Sequence, residues 1–173
     1  MEINYIEKTL KIISENNYLA LATAGKSGKP WVATVFYAFD DKCNFYFFSA
    51  KDSLHAKQIR ENPSAAVSIF NSMLPPDKVD GVQIECKAEQ ARIVDLPHLI
   101  SVYYHRRFPN GEERAKHQHV PMDFRGIALR RFFKLIPLKV YTLDPNVTEV
   151  DRRVEVDLAA LRDALHAKSY TAE

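Results

Sequence analysis

Short runs of β-branched and aromatic residues recur along this chain, and turn-forming residues separate them roughly every ten positions. Such runs are typical of strands, and the short connections leave little room for the crossover helices of a parallel sheet. We therefore expect a mainly β fold, an antiparallel barrel or sandwich with helices only at its margins. The strand-like runs cover residues 18–23, 31–39, 45–49, 65–70, 82–94, 127–135 and 138–143.

Helical patterns mark both ends of the chain. Isoleucine and leucine recur at helical spacing near the start, which predicts an amphipathic helix over residues 2–16 that covers one end of the barrel. At the other end, Asp157 can cap a predicted helix over residues 157–168. The barrel core is expected to lie between them, over residues 18–143.

Three further expectations concern the second half of the chain. Pro97 suits the first turn of a helix that ends near Phe108. The segment that follows, up to Asp123, is polar and is predicted to be irregular. Pro137 is predicted to separate two strands, because proline cannot donate a hydrogen bond to a sheet.

Length and charge narrow the class of protein. With 173 residues, of which 46% are hydrophobic, the chain is expected to form one domain over residues 1–173. A net charge of +2 gives no broad positive field, so neither nucleic acid nor a membrane surface is expected as a partner. No apolar run approaches the ~20 residues that cross a bilayer, and we expect a cytoplasmic protein.

The cysteines and two of the histidines lack the spacing of a reactive or metal site. Cys43 and Cys86 match no metal or redox motif and are expected to be reduced thiols without a catalytic role. His117 and His119 have no Cys, Asp or Glu near them at ligand spacing, so no metal is expected there.

The segment from residue 49 to residue 63 carries the clearest functional pattern. Ser49 ends a predicted strand, and Asp52 or Ser53 can cap a helix that Asn62 and Pro63 end. The free N–H groups at a helix start are suited to a phosphate. The side chains that flank this start include Lys51, His55 and Lys57.

This segment and two later ones resemble the pyridoxamine 5′-phosphate oxidase-like superfamily of flavin-binding split barrels. The chain is most similar to a small uncharacterised branch that keeps a histidine, here His55, where others have lysine. Residues 81–88 resemble the strand whose glutamine, here Gln83, approaches the edge of the flavin. Residues 103–109 resemble the helix end that follows it.

The resemblance implies a six-stranded antiparallel split β-barrel with Greek-key topology and flanking helices. It also implies a homodimer that binds FMN in clefts between its subunits. One strand would lie against the flavin ring, with the residues Ala33, Thr34, Val35 and Phe36. A second strand would end beside the ribityl phosphate at Phe48 and Ser49, and a helix start with Ser53 and His55 would clamp that phosphate. Gln83 of the facing subunit would contact the edge of the ring.

The implied function is flavin-dependent oxidoreductase chemistry on a small molecule, with a nicotinamide coenzyme as a candidate electron donor. No side chain can be named as an acid or base. The chain has Leu54-His55 where the oxidases of the superfamily have Arg-Lys, and it lacks their C-terminal Arg-x-His motif, so pyridoxamine phosphate oxidase activity itself is not expected. If His55 clamps the phosphate as a cation, FMN should bind more tightly below neutral pH, where the imidazole is protonated, than above it.

Two alternatives remain open at this stage. The first is a flavin-binding protein without turnover, such as a stress or storage protein. The second is a haem-binding relative of the same fold, for which His105, His117 or His119 are candidate ligands.

Overall fold

The computed structural model describes residues 3–75, 78–144, 146 and 152–170. The helices are α1 (Tyr5–Glu15), α2 (Leu54–Glu61), α3 (Leu96–Arg107), α4 (Gly111–His117) and α5 (Leu158–Tyr170). The strands are β1 (Tyr18–Ala24), β2 (Pro30–Phe36), β3 (Ala38–Phe39), β4 (Phe45–Ala50), β5 (Ser64–Phe70), β6 (Gly81–Gln90), β7 (Arg130–Leu143) and β8 (Arg153–Val156).

The strands form one antiparallel sheet that curls into a barrel. Seven of them follow the order β2-β1-β5-β6-β7-β4-β3, and β8 pairs with β7 off this path. The two ends of the path, β2 and β3, follow each other in the chain with Tyr37 alone between them, so the sheet returns to its starting point. The mainly β split-barrel fold is confirmed, with more strands than the six expected.

Alternation along the strands produces a core on each side of the sheet. In β4, Phe45 and Phe47 point into the barrel, while Tyr46 and Phe48 point outwards against α3. The barrel interior also takes residues of α1 and α5, as expected for helices that cover one end. The outer cluster is built largely from apolar side chains of α3. Successive side chains of a strand point to opposite faces of the sheet, so a sheet with helices packed on its outside buries residues on both faces.

The helix α2 is fixed to the turn between β1 and β2. The Thr23 hydroxyl donates to Gln58 Oε1 at 2.6 Å inside the structure, and Glu61 accepts from the backbone N–H of Lys26 at 3.1 Å. A side chain at Gly25 would place its Cβ 2.5 Å from the Glu61 carboxylate, so any larger residue there would displace the Glu61 side chain. These contacts set the direction in which the start of α2 points.

Five features differ from the sequence expectations. The segment after residue 110 is not irregular throughout: Asn110 Oδ1 accepts from the Glu112 N–H at 2.8 Å and starts α4, and residues 121–124 form a 3₁₀ turn. Pro137 does not separate two strands, because β7 is continuous there. A register shift between Glu85 and Cys86 of the partner strand β6 accommodates the proline.

The remaining three differences are at strand and helix ends. The run over residues 31–39 is divided at Tyr37 into β2 and β3, and the run over 82–94 ends in a 3₁₀ turn at Ile93–Asp95. The first predicted helix begins at Tyr5 and not at residue 2, which lies outside the described residues. Asp157 caps α5 as expected, since its Oδ1 accepts from the Ala159 N–H at 2.8 Å.

None of the helices in the described ranges is both long enough and apolar enough to cross a bilayer.

Candidate functional site

Two hydroxyls and one imidazole meet where β4 ends and α2 begins. The Nε2 atom of His55 lies 2.9 Å from Ser49 Oγ and 3.1 Å from Ser53 Oγ. His55 is buried, and its ring lies 6.0 Å from the ring of Phe47 in the barrel core. Three of the residues predicted to hold a flavin phosphate are therefore in direct contact with each other.

The directions of these hydrogen bonds determine where the protons lie. The Ser53 hydroxyl donates to the Ala50 carbonyl at 2.8 Å, so it can only accept from His55. The proton of a neutral His55 is therefore on Nε2, which faces both hydroxyls. The Ser49 hydroxyl keeps its own proton and is able to donate it to a ligand.

Burial lowers the pKa of His55 below its ordinary value, because the charged imidazolium is poorly solvated there. At neutral pH the ring is therefore uncharged in the ligand-free protein. Without a ligand, His55 therefore contacts two hydroxyls and supplies no fixed charge; its role as a cationic clamp of a bound phosphate stays a prediction.

The start of α2 has no side-chain cap. Ser53 is at the N-cap position, as expected, but its hydroxyl bonds to Ala50 and His55 and not to a backbone N–H of the first turn. In an α-helix the first N–H groups have no acceptor within the helix. The N–H groups at the start of α2 thus remain suited to an anion.

Basic side chains surround this helix start, but two of them already have partners. Arg131 pairs with Ser49 across the strands, and its guanidinium donates to the carbonyls of Gly126 and Ala128 at 2.6 and 2.7 Å. Arg130 donates to His119 Nε2 at 3.1 Å and lies 5.8 Å from the ring centre of Phe48. Arg130 and Arg131 thus both contact the segment before β7.

The four predicted flavin-strand residues alternate between two environments in β2. Ala33 and Val35 pack into the barrel core, so only their backbone groups could contact a ligand. Thr34 and Phe36 point outwards, and the Phe36 ring lies 6.1 Å from Tyr103. Phe48 approaches the same tyrosine at 5.2 Å, so both phenylalanines share one aromatic surface.

Gln83 lies away from these residues. A single row of paired positions joins Thr34, Ala20, Ser68 and Gln83 across the outer face of the sheet. At strand spacings of ~4.8 Å, Thr34 and Gln83 are about 14 Å apart along this row. The Gln83 amide oxygen accepts from Arg153 at 3.2 Å. One chain does not bring Gln83 to the phosphate clamp, and its role at a facing subunit stays a prediction.

Two features were not found from the sequence. Arg107 donates to the carbonyl of Tyr37 and to Asn17 Oδ1, the latter at 2.7 Å, and so fixes the kink between β2 and β3. His119 links Arg130 to Asp123, whose Oδ2 lies 3.3 Å from His119 Nδ1. The expectation that no acidic residue lies at ligand spacing from His119 is wrong for Asp123, which lies four residues further on and contacts its imidazole. Nothing in the sequence pointed to the contacts of Arg107.

Both cysteines are buried, and burial raises the pKa of each thiol to about 12. Among the described residues, no three His, Cys, Asp or Glu side chains are placed to share a metal ion.

Comparison with known proteins supports the resemblance at the level of family and fold. The chain is 42% identical over 55 residues to a pyridoxine/pyridoxamine 5′-phosphate oxidase of Crocosphaera subtropica. That match covers 32% of this chain and 26% of the relative, so the chain aligns with about a quarter of the length of that enzyme.

Two solved structures share the fold at low sequence identity. A haem-binding protein of Mycobacterium smegmatis matches with a TM-score of 0.69 and 15% identity, over 94% of this chain and 62% of that one. An FAD-binding protein of Mesorhizobium loti matches with a TM-score of 0.54 and 22% identity, over 78% and 90% of the two chains. The family model described as pyridoxamine 5′-phosphate oxidase matches residues 6–144, and the chain therefore belongs to that family.

Proposed function

We propose that this protein binds FMN and uses it in redox chemistry on a small molecule. The observation that carries the proposal is the contact of Ser49, Ser53 and His55 at the uncapped start of α2. The family and the FAD-binding fold relative support a flavin as the cofactor. A bound flavin would supply the acceptor and donor of hydride or electrons.

The residues present fit the three parts of such a cofactor. The Ser49 hydroxyl and the first N–H groups of α2 are donors for a phosphate. Among the described strands, β2 pairs only with β1, so backbone groups on its other edge are available to the polar side of a ring. Phe36 and Phe48 offer an apolar surface between these two regions.

In this proposal each group has a limited task. Ser49 donates to the phosphate, and His55 orients both serine hydroxyls. Lys51 lies between the two serines in sequence, is half-buried, and adds positive charge. No described side chain of the phosphate region is assigned as an acid or base, so the protein's part is to bind, to orient and to exclude water.

We expect FMN to bind about 10- to 100-fold more tightly than riboflavin, because hydrogen bonds to a charged group contribute about 1.5–3 kcal/mol. Quenching of flavin fluorescence on titration gives both dissociation constants. Equal affinities would remove the phosphate assignment, and no binding of either flavin would remove the proposed function.

The proposal includes a homodimer, because the outer face of β1, β5 and β6 carries small side chains in a shallow depression of about 350 Å³. Exposed aromatic and aliphatic side chains lie on the same strands and on β2: Tyr18, Val32 and Phe70. An apolar face of this kind is typical of a surface that a partner covers. A second copy would also bring its Gln83 to the site, as the family resemblance implies.

We expect light scattering at low micromolar concentration to give the mass of a dimer, and the Ala66→Arg variant to give a monomer. Ala66 pairs with Ala22 and Glu85 near the middle of this face, where an arginine would lose its hydration. Glu113→Arg on the exposed side of α4 is the matched control and should remain dimeric. A parent protein that is monomeric and still binds FMN would contradict the composite site.

Haem binding is the second candidate function. The fold relative from Mycobacterium smegmatis is named for it, and His117 is exposed here with its ring stacked on Phe108 at 4.9 Å. His119 is less suitable as a ligand, because Arg130 and Asp123 occupy both of its nitrogens. The visible spectrum of the purified protein separates the two candidates: flavin bands support FMN and a Soret band supports haem.

A further inference from the structure

A groove of about 660 Å³ lies between the 3₁₀ turn after β6 and the segment that leads into β7. Its apolar lining is aliphatic and comes from both segments: Ile93, Met122, Ile127 and Leu129. The lining contains no phenylalanine, tyrosine or tryptophan. Because ligand pockets commonly have volumes of about 300–1,000 Å³, this groove is large enough for a small molecule with an aliphatic part.

The aliphatic side chains of the groove are in contact with solvent. Ile127 is 97% exposed, Leu129 is 75% exposed, and Met122 is 59% exposed. Removing apolar surface from water is favourable in proportion to the area that is buried. A ligand with an aliphatic chain would therefore gain affinity from surface that is exposed in the free protein.

Hydrogen bonds from two sides hold one wall of the groove in place. The Lys51 N–H donates to the Leu129 carbonyl at 2.8 Å. Arg131 donates to the carbonyls of Gly126 and Ala128 at 2.6 and 2.7 Å. Because this wall is already ordered, a ligand would bind without the entropic cost of ordering it.

Two guanidinium groups line the groove without an acidic partner. Arg125 contacts the sulfur of Met122, at 2.8 Å from Nε, and a thioether is only a weak acceptor. Arg130 donates to His119 Nε2 at 3.1 Å, which is a neutral acceptor. Within the described ranges, no carboxylate oxygen lies within 4.0 Å of a nitrogen of either guanidinium.

The one carboxylate in the lining of the groove, that of Asp123, has other partners. Its Oδ2 accepts from the Val120 N–H at 2.9 Å and lies 3.3 Å from His119 Nδ1. The lining thus has two positive groups and one negative group, and the negative group faces His119 and the backbone. The arginines keep N–H groups for an anion, and a guanidinium can bind a carboxylate through two parallel hydrogen bonds.

The shape and charge of this region favour a small molecule over a lipid surface. The aliphatic side chains surround a concave volume, which a small molecule can fill. Proteins that bind anionic membranes through charge use clusters of basic residues, whereas the groove has two arginines and the chain has a net charge of only +2.

We propose that this groove binds a small amphipathic anion, a monocarboxylate with an aliphatic chain. The carboxylate lies against Arg125 and Arg130, and the chain lies along Ile127 and Leu129. The groove is separate from the proposed phosphate region, because Arg130 pairs with the residue after Ser49 and their side chains point to opposite faces of the sheet. Binding in the groove does not require FMN and goes beyond the proposed function.

Four matched probes test this chemistry. Octanoate has the chain and the charge, 1-octanol has no charge, 1-octylamine is a cation at neutral pH, and butyrate has a shorter chain. Chemical-shift titration of the full chain gives each dissociation constant. We expect octanoate to bind at least about fivefold more tightly than 1-octanol or 1-octylamine, and at least about tenfold more tightly than butyrate.

Two pairs of exposed residues test which side chains bind. Arg125→Gln is expected to weaken octanoate binding about three- to tenfold and to change 1-octanol binding less than about twofold, because only the anion loses a partner. Its control is Lys26→Gln, on the turn between β1 and β2. Ile127→Ser should weaken both ligands about threefold, and Met73→Ser, at a residue that is 88% exposed after β5, is its control. Neither control should change either affinity.

Several results would overturn the proposal. Octanoate binding that does not saturate, that equals 1-octanol binding, or that is unchanged in Arg125→Gln would do so. Displacement of octanoate by FMN or by inorganic phosphate would place the carboxylate at the start of α2. Sedimentation with phosphatidylglycerol vesicles that depends on Ile127, without saturable octanoate binding, would assign this face to a membrane surface instead.

The groove and the proposed function can fail separately. Saturable octanoate binding that depends on Arg125, in a protein that takes up no FMN, supports the groove and refutes the proposed function. FMN binding without octanoate binding supports the proposed function and refutes the groove.

Discussion

Phe47→Ala is expected to lower the free energy of unfolding by about 3–5 kcal/mol, the usual effect of removing a buried phenylalanine. Phe47 is 0% exposed, and it stacks on Phe133 with ring centres 5.1 Å apart and planes 15° apart. A cavity at this point would lie under His55 as well as in the middle of the barrel. Since domains have only about 5–15 kcal/mol of stability, the loss is a large share of the total.

Thermal or urea unfolding measures this effect, with Leu138→Ala as the control. Leu138 lies on β7 but is 61% exposed, so its truncation should change stability by no more than about 0.5 kcal/mol. A Phe47→Ala protein as stable as the control would show that the barrel interior is not packed as described.

Ser49→Ala is expected to weaken FMN binding by about 10- to 100-fold and to change riboflavin affinity less than twofold. The reason is that the Ser49 hydroxyl has a proton free to donate to the phosphate, whereas the Ser53 hydroxyl donates its proton to the Ala50 carbonyl. A lost hydrogen bond to a charged group costs about 1.5–3 kcal/mol. Ser53→Ala should therefore have the smaller effect, through the position of His55.

Fluorescence titration of the parent and the serine variants provides the measurement. Ser64→Ala is the control, because Ser64 is exposed on β5 and outside the site. If His55 stays neutral when FMN is bound, as its hydrogen bonds in the free protein assign it, the affinity of the parent for FMN should be nearly constant from about pH 7 upwards. If Ser53→Ala has the larger effect, or affinity falls steeply above pH 7, the proton positions assigned here are wrong.

The same lowered pKa has a consequence for stability. A histidine whose pKa is lower in the folded than in the unfolded chain binds fewer protons when folded. Its contribution to stability is therefore present above its ordinary pKa and is lost as the pH falls below that value. This change of stability with pH is opposite in direction to that of an imidazolium stabilised by an acidic partner, whose contribution is lost as the pH rises.

Local pattern was sufficient for the elements with strong periodicity. The strand β4 and the cap at Asp157 depend on residues within a few positions of each other, so the sequence alone predicted them. The α4 helix was missed because its cap at Asn110 precedes a polar segment with no apolar period. The predicted strand break at Pro137 was wrong because a sheet can accommodate proline where the partner strand shifts its register.

The residues of the candidate site were named from the sequence, and the structure brings Ser49, Ser53 and His55 together. The sequence alone determined the antiparallel β class, a helix start at Asp52 or Ser53 and the presence of hydroxyls beside a histidine, because spacing along the chain fixes these features. Only the tertiary structure decided that His55 is buried with a lowered pKa, and that Ala33 and Val35 face the core. Burial and hydrogen-bond direction arise from residues distant in sequence, and these two quantities set the charge of a group and the proton it can give.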